Sequence, residues 1–202
     1  MASKAWMHSY NEKLVPAREA LSHIRNGQTI FIGSGAGEPD LLTDTLADMA
    51  PHFCDIEVIH LATARREPKL ASPELSGSFR YNSFYVGRHD SEPAGDVTTD
   101  YTPMNVSELP AAMATGTVLV DVALVQVSPP DELGTCSLGV SVDATRAAVE
   151  NANLVIAQVN KNMPVTVGDS LVPLEDIDYI VEGNAPLAEA SPPVLDPVSL
   201  TI

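Results

Sequence analysis

Three closely spaced glycines are the first feature of the sequence that could support chemistry. The segment reads Gly33, Ser34, Gly35, Ala36 and Gly37 and directly follows an apolar run. Glycine adopts positive φ values and allows close approach to the backbone, so amides at the start of a following helix can face an anion or a developing oxyanion. The spacing therefore fits a turn that holds a substrate carbonyl or carboxylate, and it equally fits a tight strand-to-helix connection without a ligand.

Two common nucleotide motifs do not fit this turn. Glu38 and Asp40 crowd the expected helix start and no Gly-Lys-Ser/Thr ending follows, and both features argue against a P-loop. A dinucleotide fingerprint fails because the third glycine comes one position early. The hydroxyl of Ser34 could donate to a substrate carboxylate or could bond the turn backbone.

A second candidate segment begins with Pro129 and Pro130, which follow a β-prone run before the chain turns at Gly134. Two prolines make a loop rigid, and rigid loops at strand ends hold substrates as readily as they form ordinary turns. Neutral hydrogen-bonding side chains stand near other expected strand ends: Asn82, Ser83, Asn160 and Asn162. We count Asn82, Ser83, Pro129 and Pro130 with the glycine turn as substrate-binding candidates.

No catalytic nucleophile or metal site can be assigned from the residue pattern. The serines lack a recognised histidine partner, and the G-x-S-x-G motif is absent. Cys54 and Cys136 are far apart and have no Cys/His cluster nearby, which indicates neither a disulfide nor zinc and fits a reducing cytoplasm. His60 ends an expected strand on the ligand side, where it could contact a ligand or serve as a hydrogen-bonded structural histidine.

Composition narrows the function classes. The 202 residues carry a net charge of -16, which opposes binding to nucleic acids and anionic membrane surfaces. No stretch approaches the roughly 18 apolar residues of a membrane span, and the first residues do not have the pattern of an export signal. The one compact cationic group is Arg65, Arg66 and Lys69, which also fits a solvated loop.

Alternating patterns predict an α/β fold with a mainly parallel sheet flanked by helices. Strands are expected over 28–32, 56–60, 79–86, 117–127, 154–159 and 178–181, and helices over 15–25, 39–49, 106–113 and 144–152. Asp121 interrupts the fourth strand, which should be kinked or divided, and Asp143 should cap the last helix. In such sheets ligands bind beyond the carboxyl ends of the strands, where the glycine turn and the double proline would lie.

Longer segments carry a family resemblance. GSGAGEP (33–39), FRYNSFYVG (79–87), VDVALVQVSPPDELGTCSLGVSVDAT (120–145), VIAQVNKNMPVTVGDS (155–170) and DIDYIVE (176–182) occur in this order. Together they resemble the acetyl-CoA hydrolase/transferase family, which includes the 4-hydroxybutyrate and succinyl-CoA:acetate CoA-transferases. The resemblance implies two similar α/β domains, with CoA and a carboxylate bound between them, of which this chain is the first.

The resemblance also implies a mechanism. A glutamate of the second domain attacks the acyl-CoA thioester and then carries CoA as its own thioester until a carboxylate or water takes the acyl group. No counterpart of that glutamate motif is found in the 202 residues, so no catalytic residue is assigned here. The turn at 33–37 would form the acyl-side wall, although some relatives have histidine at the position of Ser34. CoA enters as acyl-CoA substrate, and no tightly bound cofactor is expected.

We therefore expect residues 1–184 to form the amino-terminal CoA-transferase-like domain and residues 185–202 to form a proline-rich linker toward a second domain. The expected partners are acyl-CoA, small carboxylates and a carboxyl-terminal catalytic domain in cis or as a separate chain, with a homodimer left open. The isolated chain should be inactive. The alternatives are a non-catalytic partner subunit or binding module, and a hydrolase that passes the acyl group to water.

Overall fold

A seven-stranded, entirely parallel sheet organises the chain. The computed structural model describes residues 5–63, 69–84 and 99–189. The strands of this sheet are β1 (Thr29–Ile32), β2 (Ile56–His60), β3 (Phe79–Ser83), β4 (Thr99–Tyr101), β5 (Val122–Val127), β7 (Leu154–Val159) and β9 (Tyr179–Glu182). Their spatial order is β4-β3-β2-β1-β5-β7-β9. The predicted α/β fold with a parallel sheet is confirmed.

Both faces of this sheet are covered, which explains the continuous apolar runs of its central strands. All six residues of β5 are buried. The helices are α1 (Ala5–Lys13), α2 (Ala17–Leu21), α3 (Asp40–Asp48), α4 (Leu109–Ala114) and α5 (Thr145–Asn151). Side chains of α2 and α3 join one apolar cluster with Ile30 and Ile32, whereas α4, α5 and Phe31 belong to the other. Among the described residues no helix is long and apolar enough to cross a membrane.

A small antiparallel sheet adds a feature that the sequence pattern did not indicate. Its strands are β6 (Thr135–Ser137) and β8 (Leu171–Pro173), which pair with Cys136 opposite Val172. The proline- and glycine-marked loop after β5 therefore contains a strand. Three-residue strands more than 30 positions apart leave too short a pattern for recognition in the sequence.

Several predicted boundaries are wrong. The run over 117–127 is neither kinked nor divided, because the strand begins only at Val122. Asp121 instead bonds the neighbouring strands: its carboxylate accepts the Thr29 amide at 2.9 Å, and its carbonyl accepts the Leu154 amide at 3.0 Å. The helix expected over 15–25 spans only Ala17–Leu21.

Other differences concern segments for which the sequence pattern predicts no helix or strand. Helix α1 lies close to the amino terminus, where the pattern indicates only that an export signal is lacking, and β4 lies within the predicted loop over 87–103. Residues 85–98 of that region are outside the described ranges. The pattern over 106–113 begins as a short 3-10 turn before α4.

The strand order places a topological switch between β1 and β5. From β1 the chain proceeds to β2, β3 and β4 on one side, and β5 then starts the other side. Loops that leave adjacent strands in opposite directions open a crevice at the carboxyl ends of those strands, where open α/β sheets bind ligands. The glycine turn follows β1 and therefore lies at this crevice.

Candidate functional site

The glycine turn is fixed by its own backbone. The amide of Gly33 donates to the Leu124 carbonyl of β5 at 2.9 Å, and that of Gly35 donates to the Ala62 carbonyl beyond β2 at 2.6 Å. The Gly37 amide closes the turn on the Ser34 carbonyl at 3.0 Å. Gly35 has a φ of 58°, a value that favours glycine. Because these three amides bond within the protein, the turn presents to the crevice chiefly the half-buried surface of Gly35 and Ala36.

The side chain of Ser34 joins the turn to α5 on the other side of the switch. Ser34 is only 4% exposed, and its hydroxyl donates to Oδ2 of Asp143. Oδ1 of the same carboxylate accepts the amide and hydroxyl of Thr145 at 3.0 and 2.9 Å. Asp143 thus accepts a bond from the start of α5 as expected, although the helix begins at Thr145, one residue later than expected. Its φ of 22° is unusual for a non-glycine residue.

A double-mutant cycle should measure the Ser34–Asp143 hydrogen bond. We expect the variants Ser34→Ala and Asp143→Ala to show a coupling of about 1.5 kcal/mol in the free energy of unfolding, since a bond to a charged acceptor is lost in either single variant. Urea unfolding of the two single variants and the double variant gives this value. The bonds of Asp143 to Thr145 cancel in the cycle. Strictly additive losses would show that the bond contributes nothing to stability.

Glu38, which directly follows the glycine turn, forms two further hydrogen bonds that fix the turn. Its carboxylate is buried and accepts the Thr63 hydroxyl at 2.6 Å, while its carbonyl accepts Nε2 of Gln126 at 3.0 Å. Thr63 follows β2 and Gln126 lies in β5, so Glu38 connects the turn to both neighbouring strands. The turn is therefore held through Glu38 and through Ser34, which restricts its position at the crevice.

His60 lies behind Glu38 and is almost completely buried. Its Nδ1 is 2.7 Å from the Tyr81 hydroxyl, and its Nε2 is 3.9 Å from Oε2 of Glu38. Within the described ranges, Nε2 is the one buried side-chain nitrogen or oxygen without a hydrogen-bond partner. Burial lowers the pKa of His60 from 6.5 to about 4, an effect that the charge of Asp143 partly opposes. The imidazole is therefore neutral at pH 7.

This burial predicts a pH dependence of stability. Because the folded-state pKa lies below the value of 6.5 for the unfolded chain, the unfolded state takes up the proton first as pH falls. The His60 contribution is thus intact near pH 7, and about 2 kcal/mol of it should be lost by pH 5. Urea unfolding of the wild type and of the variant His60→Gln at pH 7 and pH 5 measures this effect. Between these pH values the variant should lose about 2 kcal/mol less of its free energy of unfolding than the wild type. The exposed His52, changed to Gln, is the control, and an unchanged pH dependence in His60→Gln would contradict this prediction.

Three buried amide side chains form a hydrogen-bond network beside the glycine turn. Gln126 lies in β5, Gln158 in β7 and Asn160 directly after β7, and all three are buried. Oε1 of Gln126 accepts from Gln158 at 3.1 Å and from Asn160 at 2.8 Å. Oε1 of Gln158 accepts the amide of Leu41 in the first turn of α3 at 2.9 Å. The network ties the helix after the turn to both strands, and fully paired buried networks of this kind favour a single arrangement.

The other predicted site residues lie apart from the turn. Asn82 binds Glu57 at 3.0 Å and accepts the Thr102 hydroxyl at 3.0 Å, so its side chain bridges neighbouring strands. Ser83 pairs with His60 in the strand register and is buried. Pro129 and Pro130 line a separate cavity of about 310 Å³ beside α1, together with Trp6, Tyr10 and Lys161. The structure therefore does not bring all candidates into one pocket.

Several contacts of the site were not identified in the sequence, where Asp143 was predicted only as a helix cap. Asp143 is 109 positions from Ser34, and Thr63 carried no motif. The amides of Gln126 and Gln158 gave a weak signal, as polar residues inside apolar runs. Of the cationic group, Arg65 and Arg66 lie outside the described residues, and Lys69 pairs with Asp44 at 3.0 Å. No cluster of metal-ligating side chains occurs in the described part of the chain.

Comparison with known proteins identifies relatives over the whole chain. 4-Hydroxybutyrate coenzyme A transferase of Clostridium kluyveri is 41% identical over 197 residues, which are 98% of this chain and 46% of that protein. The succinyl-CoA:acetate/propanoyl-CoA:succinate CoA transferase of Fasciola hepatica is 36% identical over 176 residues, which cover 86% of this chain and 36% of that protein. The chain thus spans about half the length, or less, of these curated relatives.

Solved structures agree with the sequence comparison. RipA from Yersinia pestis superimposes with a TM-score of 0.87 at 28% identity, over 96% of this chain and 47% of that one. 4-Hydroxybutyrate CoA-transferase from Porphyromonas gingivalis gives a TM-score of 0.78 at 30% identity, over 93% and 43% of the respective chains. The family model for the acetyl-CoA hydrolase/transferase N-terminal domain matches residues 2–189. The chain therefore belongs to the acetyl-CoA hydrolase/transferase family, and it carries the amino-terminal domain of that family.

Proposed function

We propose that the complete protein is a CoA-transferase that moves CoA between an acyl-CoA and a small carboxylate of the 4-hydroxybutyrate, acetate or succinate class. The carrying observation is the 41% identity to a 4-hydroxybutyrate coenzyme A transferase across nearly the whole chain. The glycine turn at the switch between β1 and β5 supports the proposal, because small ligands of α/β proteins bind at that position.

The proposed chemistry uses a glutamate outside these 202 residues. Its carboxylate attacks the thioester carbonyl, expels the CoA thiolate and forms a mixed anhydride. The thiolate then attacks the glutamyl carbonyl, which releases the first carboxylate and leaves a glutamyl-CoA thioester. The acceptor carboxylate reverses both steps, so that a new acyl-CoA forms and the glutamate is regenerated. In this scheme CoA is a substrate, and no tightly bound cofactor takes part.

The proposed contribution of this chain is a rigid wall for the acyl group. Gly35 and Ala36 would face the acyl group, while Gly33, Ser34 and Gly37 would fix the turn through contacts to β5 and Asp143. Ser83 ends β3 at the same edge of the sheet, and Asn82 would act by holding the neighbouring strands. Pro129 and Pro130 would belong to a second part of the substrate surface, beside α1. A fixed wall lowers the entropic cost of placing the carbonyl for attack.

An acyl-exchange assay tests the proposal. The complete protein, with its second domain in cis or as a separate chain, is incubated with acetyl-CoA and 4-hydroxybutyrate, succinate or propionate. New acyl-CoA should form, and mass spectrometry after acyl-CoA alone should show a covalent CoA adduct. The 202-residue chain alone should be inactive. Thioester loss without an acceptor would identify a hydrolase, and inactivity across the panel would rule out the transferase.

A further inference from the structure

Three exposed valines lie on two loops beyond the carboxyl ends of β5 and β7. Val165 and Val167 belong to the loop that follows β7 and are 68% and 94% exposed, and Val140 follows β6 and is 46% exposed. We call these three residues the valine surface. None of them belongs to the apolar clusters that the described residues form. Neighbouring apolar side chains that an ordered protein leaves exposed mark an interaction site.

The loop after β7 is held in place although its valines are exposed. The Thr166 amide donates to the Ser137 hydroxyl oxygen at 3.1 Å, and the Thr166 hydroxyl donates to the Gly139 carbonyl at 3.0 Å. The Ser170 hydroxyl donates to the Thr166 carbonyl at 2.7 Å. Thr166 thus turns inward between the two exposed valines, and it joins their loop to the backbone beside Val140. A surface that is already ordered loses little conformational entropy when a partner covers it.

The composition of these loops indicates what kind of partner fits. The segments 138–142 and 164–168 contain no charged residue, although the whole chain carries a net charge of -16. Small ligands need concave sites, whereas the side chain of Val167 projects almost fully into solvent. A second copy of the chain would bring another net charge of -16, which opposes association. The valine surface therefore fits the apolar face of a different protein domain.

The chain leaves the large sheet beside the valine surface. Beyond β9, the carbonyl of Ala185 accepts Nδ2 of Asn160 at 2.8 Å and Nδ2 of Asn162 at 3.1 Å. Asn162 and Val165 belong to the same loop. The relatives described above are about twice as long as this chain or longer. A domain that follows this chain would be tethered next to the valines, and a short flexible tether gives an effective concentration on the order of millimolar.

We propose that the carboxyl-terminal domain docks on the valine surface and thereby fixes the segment that positions the glycine turn. Val140 directly precedes Ser141, and a Cβ at Gly37 would lie 2.8 Å from Cβ of Ser141. Farther along the same segment, Asp143 accepts the Ser34 hydroxyl. A domain that covers Val140 therefore holds the glycine turn through this segment. The inference goes beyond the proposed transferase function, because docking can be measured without a substrate.

Hydrogen exchange in the complete protein tests the docking. The wild type is compared with the double variant Val165→Lys, Val167→Lys, in which docking would bury two unpaired charges. Peptides that contain 138–144 or 33–37 should exchange at least about tenfold faster in the variant, and so should peptides of the carboxyl-terminal domain. Faster exchange in that second domain distinguishes lost docking from local loosening of the loop. Leu119→Lys is the matched control, since Leu119 is 66% exposed and precedes β5, at the opposite edge of the sheet.

Further variants and outcomes make the test decisive. Val140→Lys should act in the same way from the other loop, and Val167→Ile should keep wild-type exchange. Unchanged exchange in the carboxyl-terminal domain of Val165→Lys, Val167→Lys overturns the inference. Wild-type protection over 138–144 that disappears on dilution, while the mass in light scattering halves, also overturns it, because a second copy would then cover the valines. Absence of CoA transfer in a protein with the expected exchange differences overturns the proposed function and leaves the docking intact.

Discussion

Replacement of Gly37 by alanine should lower kcat/KM for the proposed CoA transfer in the complete protein by about a hundredfold. A Cβ at this position would lie 2.8 Å from Cβ of Ser141 and 3.3 Å from the Ser34 carbonyl oxygen. Real side chains essentially never approach so closely, so the turn or the segment with Ser141 must move. A displacement of about 1 Å in a positioning element is enough to cost two orders of magnitude in rate. Steady-state kinetics with acetyl-CoA and 4-hydroxybutyrate measures the effect.

A second substitution tests whether the overlap with Ser141 causes this loss of activity. In the variant Gly37→Ala, Ser141→Gly, the atom nearest to the new Cβ is removed, and we expect most of the lost activity to return. Gly77→Ala is the control, since a Cβ there meets nothing within 4 Å. Full activity in Gly37→Ala would contradict the proposal that the position of the turn matters for catalysis.

The central part of the fold could be predicted because its signal is local. Strands β1, β2 and β7 are short apolar runs bounded by polar or glycine residues. Such runs are expected for strands of a parallel sheet, because both faces of these strands are buried. Helix α1 lacks such a signal, since it packs through Trp6 and Tyr10 and is otherwise polar. Strand β4 has three residues and pairs only with the edge of β3. Strand β4 therefore forms because it pairs with β3, and its own three residues give no recognisable pattern.

The candidate site also contains one part that could be predicted from local sequence and another part that could not. The glycine spacing identified the turn, because positive φ and close approach are properties of single residues. What holds the turn was not predictable, since Asp143 and Gln126 reach it only after the strands have been ordered in space. The two prolines were placed correctly after β5, yet they line a different cavity from the turn. Sequence order alone did not show which strand ends share a pocket.

The segment that carries Ser141 depends in turn on Gly139, and this dependence explains why a small second sheet matters to the site. The hydroxyl of Ser137 accepts the Gly139 amide at 3.1 Å, and the Gly139 carbonyl accepts the Thr166 hydroxyl at 3.0 Å. Ser137 ends β6 of the small sheet. The small sheet thus fixes the segment that runs past Ser141 to Asp143, the two residues against which the turn packs and bonds.

Alanine at position 139 should therefore destabilise the protein strongly, by about 3 kcal/mol in the free energy of unfolding. A Cβ there would overlap Sδ of Met163 and lie 2.9 Å from the carbonyl oxygen of Pro164, and overpacking of this kind typically costs about 1–3 kcal/mol. The φ of 64° adds about 1 kcal/mol for any residue with a side chain. Gly116→Ala isolates that second contribution, because Gly116 has a φ of 72° and open space around it. Urea unfolding should show about 1 kcal/mol for Gly116→Ala, and equal losses in the two variants would mean that the packing around Gly139 yields without cost.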